Sequence, residues 1–92
     1  MDINDFRRMI DEIDNEMIKL FSKRMRVSAD IARYKAQRDL PVYDPERERR
    51  KLDDVLSKTD DDLRGHMGAL YGKIFELSKA LQEECISEET NG

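Results

Sequence analysis

The chain has 92 residues, of which 41% are charged and 38% are hydrophobic, and its net charge at pH 7 is −4. This length allows one domain with a modest core, and high charge with few glycines and prolines is typical of a helical protein rather than a disordered one. The acidic balance argues against nucleic-acid binding, because a phosphate backbone requires a broad basic face.

The sequence also carries information about the compartment. Cys85 is the only cysteine, so no disulfide can form within one chain and a reducing setting is expected. The N-terminal residues 1–5 are acidic on balance, with Asp2 and Asp5, and lead directly into an amphipathic pattern, which is not typical of a signal peptide. No apolar run approaches the ~20 residues that a membrane-spanning helix needs. We therefore expect a cytoplasmic protein that does not contact a membrane.

The first predicted element is a long helix that begins at Asp2 or Asn4 and runs to about residue 34 or 35. Its apolar residues recur in steps of three and four, which is the repeat of a helix buried along one stripe. The stripe consists of Ile3, Phe6, Ile10, Ile13, Met17, Leu20, Val27, Ile31 and Tyr34. About 33 residues give a helix of roughly 50 Å, whereas a compact chain of this length is only ~32 Å across. A dimer or higher oligomer is therefore expected to cover the stripe.

Arg24 is the one charged residue within this apolar stripe. Burying a guanidinium costs on the order of 3–5 kcal/mol unless an anion pairs with it. Lys35 follows about three turns later and projects within about 20° of Arg24. Two cations on one face of one helix indicate a site for a small anionic ligand.

Asp44 and Pro45 predict the start of a second, shorter helix, because aspartate accepts from the first backbone N–H groups and proline suits the first helical position. This helix runs to about Ser57. A third helix follows the polar residues 58–62 and repeats its apolar residues in four-three alternation. These residues are Leu63, Met67, Leu70, Ile74, Leu77 and Leu81.

The fold class is therefore all-α, with three helices in the order long, short, long. They form one domain over residues 1–86. Residues 87–92 are polar and lack periodicity, so we expect a disordered tail there.

Five further polar residues join the two cations as candidates for ligand binding. Ser78 and Gln82 are four residues apart and share one face of the third helix, where a buried hydroxyl and amide would require partners. Arg47 and Glu48 lie in the first turn of the second helix, where the backbone N–H groups and the helix dipole favour anions. Arg7 lies in the first turns of the first helix. Each of these residues taken alone also fits an ordinary surface or core position. Their occurrence together is what indicates a ligand site.

Other chemistries find less support in the sequence. His66 has no His, Cys or paired carboxylate at ligand spacing, so no metal site is expected. A nucleophile elbow and a glycine-rich phosphate loop are both absent from the pattern. Cations, neutral donors and one carboxylate bind and orient a ligand without transferring protons, and no cofactor is expected.

The sequence resembles the all-helical class of chorismate mutases, an intertwined-dimer type often fused to prephenate dehydratase or prephenate dehydrogenase. The resemblance covers roughly residues 3–86. Its most specific parts are FRRMIDEID at 6–14, KR at 23–24, Lys35, PVYDPERE at 41–48, Ser78 and Gln82. It implies an isomerase of phenylalanine and tyrosine biosynthesis that converts chorismate to prephenate by a concerted 3,3-rearrangement, without metal or cofactor.

The resemblance also implies roles for the polar residues. Lys35 and Gln82 would donate to the ether oxygen of chorismate, and Arg24 would join them as the third catalytic residue. The substrate-binding residues would be Arg7, Arg24, Lys35, Asp44, Arg47, Glu48, Ser78 and Gln82. The arginines and Ser78 would hold the two carboxylates, and Glu48 with the backbone of Asp44 would take the ring hydroxyl. In a homodimer of this type, Arg7 would come from the opposite subunit.

Two alternatives remain at this point. An isochorismate-pyruvate lyase of the same fold acts on a ring with its hydroxyl elsewhere, and such relatives lack the pair formed by Asp44 and Glu48, which this chain retains. A non-catalytic helical dimerisation module would have no reason to place Arg24 and Gln82 in apolar seams.

Overall fold

A computed structural model describes the backbone of residues 1–91 and the side chains of residues 1–88. The described chain consists of α1 (Ile3–Gln37), α2 (Pro45–Ser57), a single 3-10 turn (Asp61–Leu63) and α3 (Arg64–Asn91). The predicted all-α fold and its order of long, short and long helices are confirmed. The described backbone is helical over residues 87–91, and residue 92 lies outside the described residues. Disorder over 87–92 stays a prediction.

Both ends of α1 are fixed by hydrogen bonds that its sequence supplies. Asp2 is the N-cap, and it exchanges backbone-to-carboxylate hydrogen bonds of 2.9 and 3.0 Å with Asp5 in a capping box. At the other end, the N–H of Leu40 donates to the carbonyl of Lys35 at 2.9 Å, while Asp39 takes a positive φ of 54°. This left-handed residue ends the helix and turns the chain back toward α1.

The start of α2 follows the predicted pattern. The carboxylate of Asp44 accepts from the backbone N–H of Arg47 at 3.0 Å, and Pro45 occupies the first helical turn. Because that carboxylate caps the helix, the backbone of Asp44 is held at the helix entrance. The first turn of α2, including Glu48, is thereby fixed in place.

The helices meet where α3 crosses the second half of α1. Small residues are buried at this crossing, with Ser28, Ala29 and Ala32 on α1 facing Ser78 and Cys85 on α3. Their size lets the two helix axes approach closely, which brings the polar atoms of both helices within hydrogen-bond distance. The polar residues predicted on α1 and α3, namely Arg24, Ser78 and Gln82, therefore meet at this crossing.

The first half of α1 has no such cover within the chain. Eight of its large apolar side chains are 49–65% exposed: Ile3, Phe6, Met9, Ile10, Ile13, Met17, Ile18 and Leu20. The chain measures 54 × 28 × 14 Å, and its radius of gyration of 16.7 Å exceeds the ~12 Å of a compact chain of this length. No helix within the described residues has the length and apolar character to cross a membrane.

Candidate active site

A cleft of about 480 Å³ lies between the second half of α1, the start of α2 and the middle of α3. Seven of the eight residues predicted to bind a ligand line it. They are Arg24, Lys35, Asp44, Arg47, Glu48, Ser78 and Gln82. The fold therefore brings together side chains from three separate segments of the sequence.

Arg24 lies half-buried at the inner wall of this cleft. Its Nη1 donates to the hydroxyl of Ser78 at 3.1 Å, and its guanidinium carbon lies 5.9 and 6.0 Å from the ring centroids of Tyr71 and Phe75. These neutral and aromatic partners hold the side chain without cancelling its charge. No carboxylate among the described residues lies within ion-pair distance of Arg24. The charge thus remains available to an anion in the cleft.

Gln82 is oriented by the backbone of α1. Its Nε2 donates to the carbonyl oxygen of Ser28 at 3.0 Å. An amide nitrogen carries two N–H groups, so one is anchored to α1 and the other can donate to a ligand. The hydroxyl of Ser28 also lies 3.5 Å from that of Ser78, so this residue links both polar positions of α3 to α1.

Sequence reasoning missed Ser28. The available signal was its spacing, because it lies four residues after Arg24 and so on the same helix face.

Lys35 connects α1 to the loop that precedes α2. Its ammonium Nζ donates to the carbonyl of Val42 at 3.4 Å. An ammonium has three N–H donors, so this contact fixes the side chain while two donors remain. Lys35 and Gln82 both line the cleft and both carry an anchored nitrogen donor.

The start of α2 contributes groups of both charges. The carboxylate of Asp44 is committed to capping α2, which leaves its backbone rather than its side chain for a ligand. Arg47 is exposed and lines the cleft. Glu48 is less exposed, and its Oε1 lies 3.7 Å from the ammonium of Lys79 on α3.

Three lysines that the sequence analysis did not assign to ligand binding also line the cleft, namely Lys23, Lys51 and Lys79. Six cationic and two acidic side chains line it altogether, an excess of four positive charges in a chain whose net charge is −4. Such a concentration of one sign in a concave site attracts small anions and raises their association rate. The charge of the cleft is therefore opposite to that of the whole chain.

Arg7 is the predicted residue that the fold does not bring to this cleft. It precedes Arg24 by 17 residues on the same helix, which corresponds to about 25 Å along the helix axis. An arginine side chain cannot span that distance. Within one chain, Arg7 is exposed on the part of α1 that lacks cover.

Apart from the residues predicted to bind a ligand, the described residues offer few groups for other chemistry. No group of three His, Cys, Asp or Glu side chains in the described part of the chain could hold a metal ion. At the edge of α2, a hydrogen bond from Lys58 to Asp54 lowers the pKa of that carboxyl, with Lys51 adding to the effect. Asp54 and Lys58 do not line the cleft, whereas Lys51 does.

Comparison with known proteins agrees with the resemblance in the sequence. Residues 6–83 match the profile of the family described as chorismate mutase type II. The chain is 33% identical over 89 residues to a chorismate mutase of Methanocaldococcus jannaschii, which covers 95% of this chain and 90% of that protein.

Two longer proteins are also similar. A bifunctional chorismate mutase/prephenate dehydratase of Aquifex aeolicus is 33% identical over 88 residues, covering 94% of this chain and 22% of that protein. The T-protein of Haemophilus influenzae is 44% identical over 46 residues, covering 50% of this chain and 12% of that protein. No solved structure matches the chain at a significant level. The family match and the relative of similar length together show that the chain belongs to the chorismate mutase type II family.

Proposed function

We propose that the cleft binds chorismate and that its rearrangement to prephenate takes place there. The observation that carries this proposal is the meeting of seven predicted residues in one cleft with an excess of four positive charges. Chorismate is a dianion, so the charge of the cleft suits it. The lone Cys85 favours a reducing compartment, and we place the enzyme in the cytoplasm.

The reaction makes limited chemical demands on the protein. In a concerted rearrangement one C–C bond forms as one C–O bond breaks, with no covalent intermediate and no proton transfer. The enzyme must hold the folded conformer of the substrate and stabilise negative charge on the ether oxygen. A rigid set of cations and N–H donors is sufficient for both tasks.

The carboxylates of the substrate are assigned to the arginines. Arg24 has an uncompensated charge, and its neighbour Ser78 carries a hydroxyl that can donate to the same carboxylate. Arg47 lines the same cleft from α2. Arg7 of a second chain supplies the third guanidinium.

The ether oxygen is assigned to Lys35 and Gln82. Both nitrogens are already anchored, to the carbonyls of Val42 and Ser28 respectively. Donors held in place before the reaction need no reorganisation as charge develops, and removing one typically costs about 10²–10³ in rate. Glu48 and the backbone of Asp44 receive the ring hydroxyl, which sets the orientation of the ring.

The enzyme is a homodimer in this proposal. A second α1 would cover the exposed apolar side chains of the first half of α1, and it would bring its own Arg7 toward a cleft that the resident Arg7 cannot reach. Without that cover, the chain buries no large apolar side chain completely within residues 1–88.

Sedimentation measures this assembly directly. We expect a single dimeric species at micromolar concentration that dissociates only as the chain unfolds, because the apolar stripe has no other cover. A stable, folded monomer at that concentration would contradict the dimer.

The function is tested by the loss of chorismate absorbance with recovery of prephenate. The variant Gln82→Glu tests whether Gln82 donates to the ether oxygen. An amide donates at every pH, whereas a carboxyl donates only when protonated. The Ser28 carbonyl and the developing oxyanion would both disfavour the ionised form and raise the pKa of the introduced carboxyl. We expect the variant to be about 10²–10³-fold slower than the unmodified enzyme at pH 7.5 and to recover as the pH falls toward 5.

The matched control is Gln37→Glu, which makes the same change at an exposed position outside the cleft. The control and the unmodified enzyme should keep their rates across neutral pH. A flat profile for Gln82→Glu at the unmodified rate would show that Gln82 does not touch the ether oxygen. Lys35 would then serve that atom alone.

A further inference from the structure

Lys79 joins three parts of the fold at the wall of the cleft. Its ammonium Nζ lies 3.7 Å from Oε1 of Glu48 on α2 and 4.7 Å from the ring centroid of Tyr43 in the preceding loop. All three side chains line the cleft. The side chains of Lys79 and Glu48 are 37% and 26% exposed, so the pair is partly shielded from water.

This ion pair differs from the others in the described part of the chain. Every other ion pair found between described side chains joins residues three or four apart in sequence, within one helix or at one of its ends. The pair of Lys79 and Glu48 joins α3 to α2. An ion pair between two helices fixes where a side chain of one helix lies relative to the other helix. An ion pair within one solvated helix face does not.

The position of Glu48 needs such a constraint. A glutamate has three flexible torsions, and this one stands in a cleft lined by six cationic side chains. If it turned toward Arg24 or Arg47, it would neutralise a guanidinium that the carboxylates of the substrate require. Lys79 on α3 places an ammonium closer to the carboxylate of Glu48 than either guanidinium. The contact of that ammonium with the face of Tyr43 holds it there.

We propose that Lys79 is a positioning residue of this enzyme, acting through Glu48 on the ring hydroxyl of the substrate. The inference rests on the proposed function, because it assigns the hydroxyl to Glu48. Lys79 binds one side of the carboxylate, and the remaining acceptor sites of that carboxylate stay open to the hydroxyl. The same contact keeps Glu48 from competing with the substrate for the arginines.

A double-mutant cycle measures this coupling through kcat and KM for chorismate. Lys79→Gln should lower kcat/KM about tenfold, with a lower kcat as well as a higher KM, because a misplaced Glu48 leaves the ring in unproductive orientations. In a Glu48→Gln background, where no carboxylate remains to be placed, the same change should cost less than about twofold. Lys79→Arg keeps a cation near Glu48 and over the ring of Tyr43, and it should restore most of the loss.

Lys23→Gln is the matched control for charge. Lys23 lines the same cleft but makes no recorded contact with Glu48, so its loss removes an equal charge without releasing the carboxylate. We expect that variant to raise KM alone, by an amount that shrinks as the salt concentration rises. The defect of Lys79→Gln in kcat should persist at high salt.

Two results would overturn the inference while leaving the proposed function intact. One is a loss of kcat/KM from Lys79→Gln that has the same size in the presence and in the absence of the Glu48 carboxylate. The other is a match between Lys79→Gln and Lys23→Gln in both size and salt dependence. An unmodified chain that fails to convert chorismate would overturn the proposed function and this inference together. If Lys79→Gln fails to fold, Lys79→Arg and Lys79→Met compared in the same cycle decide the question.

Discussion

Arg24→Leu should lower kcat/KM for chorismate by about 10²–10³-fold while leaving the protein folded. The loss is expected because the half-buried guanidinium pairs with Ser78 and two aromatic rings but with no described carboxylate. In the proposed complex, a carboxylate of chorismate supplies the counterpart to this charge. Leucine would remove that charge and continue the apolar stripe of α1, so the free energy of unfolding should be unchanged or higher.

Thermal unfolding and steady-state kinetics test the two halves of this prediction separately. Arg50→Leu is the matched control, since it makes the same substitution at an exposed position of α2 that does not line the cleft. The control should retain its kcat/KM. If Arg24→Leu unfolds and the residual folded protein binds chorismate as well as before, Arg24 is a structural residue and the anion-site interpretation is wrong.

The sequence was sufficient for the features that depend on local chemistry. Asp2 and Asp44 start their helices because each side chain accepts a backbone N–H from the first turn, and that chemistry is visible in a few adjacent residues. The three-four spacing of apolar residues along α1 likewise indicates one stripe whatever it packs against. Arg24 stood out because it interrupts that stripe.

Features that depend on contacts between helices could not be predicted in the same way. Nothing in the sequence immediately around Lys79 indicates that it meets Glu48, which is 31 residues away. The same holds for the carbonyl of Ser28, which orients Gln82 only because α1 and α3 cross at small residues. The contacts of Arg24 with Tyr71 and Phe75 of α3 likewise depend on how the two helices pack.

Arg7 tests the assembly, because it serves the proposed site only if two chains share one cleft. The distance of about 25 Å along α1 between Arg7 and Arg24 excludes a role in the cleft of its own chain. In a homodimer with crossed sites, each site combines Arg7 of one chain with Lys35 and the other cleft residues of its partner. Arg7→Ala and Lys35→Ala should therefore each be nearly inactive alone, since every site in each variant dimer carries one lesion.

Mixing these two inactive variants should restore activity. In a heterodimer, one site carries both lesions and the other carries neither, so each heterodimer should approach half the activity of the unmodified dimer, once chains have exchanged at random. Mixing Arg24→Leu with Lys35→Ala is the control, because both residues come from the same chain and every site keeps a lesion whichever way the chains pair. Activity should therefore return in the first mixture and not in the second. No recovery in the first mixture, with subunit exchange shown by mass-tagged chains, would mean that Arg7 does not cross to the partner's cleft.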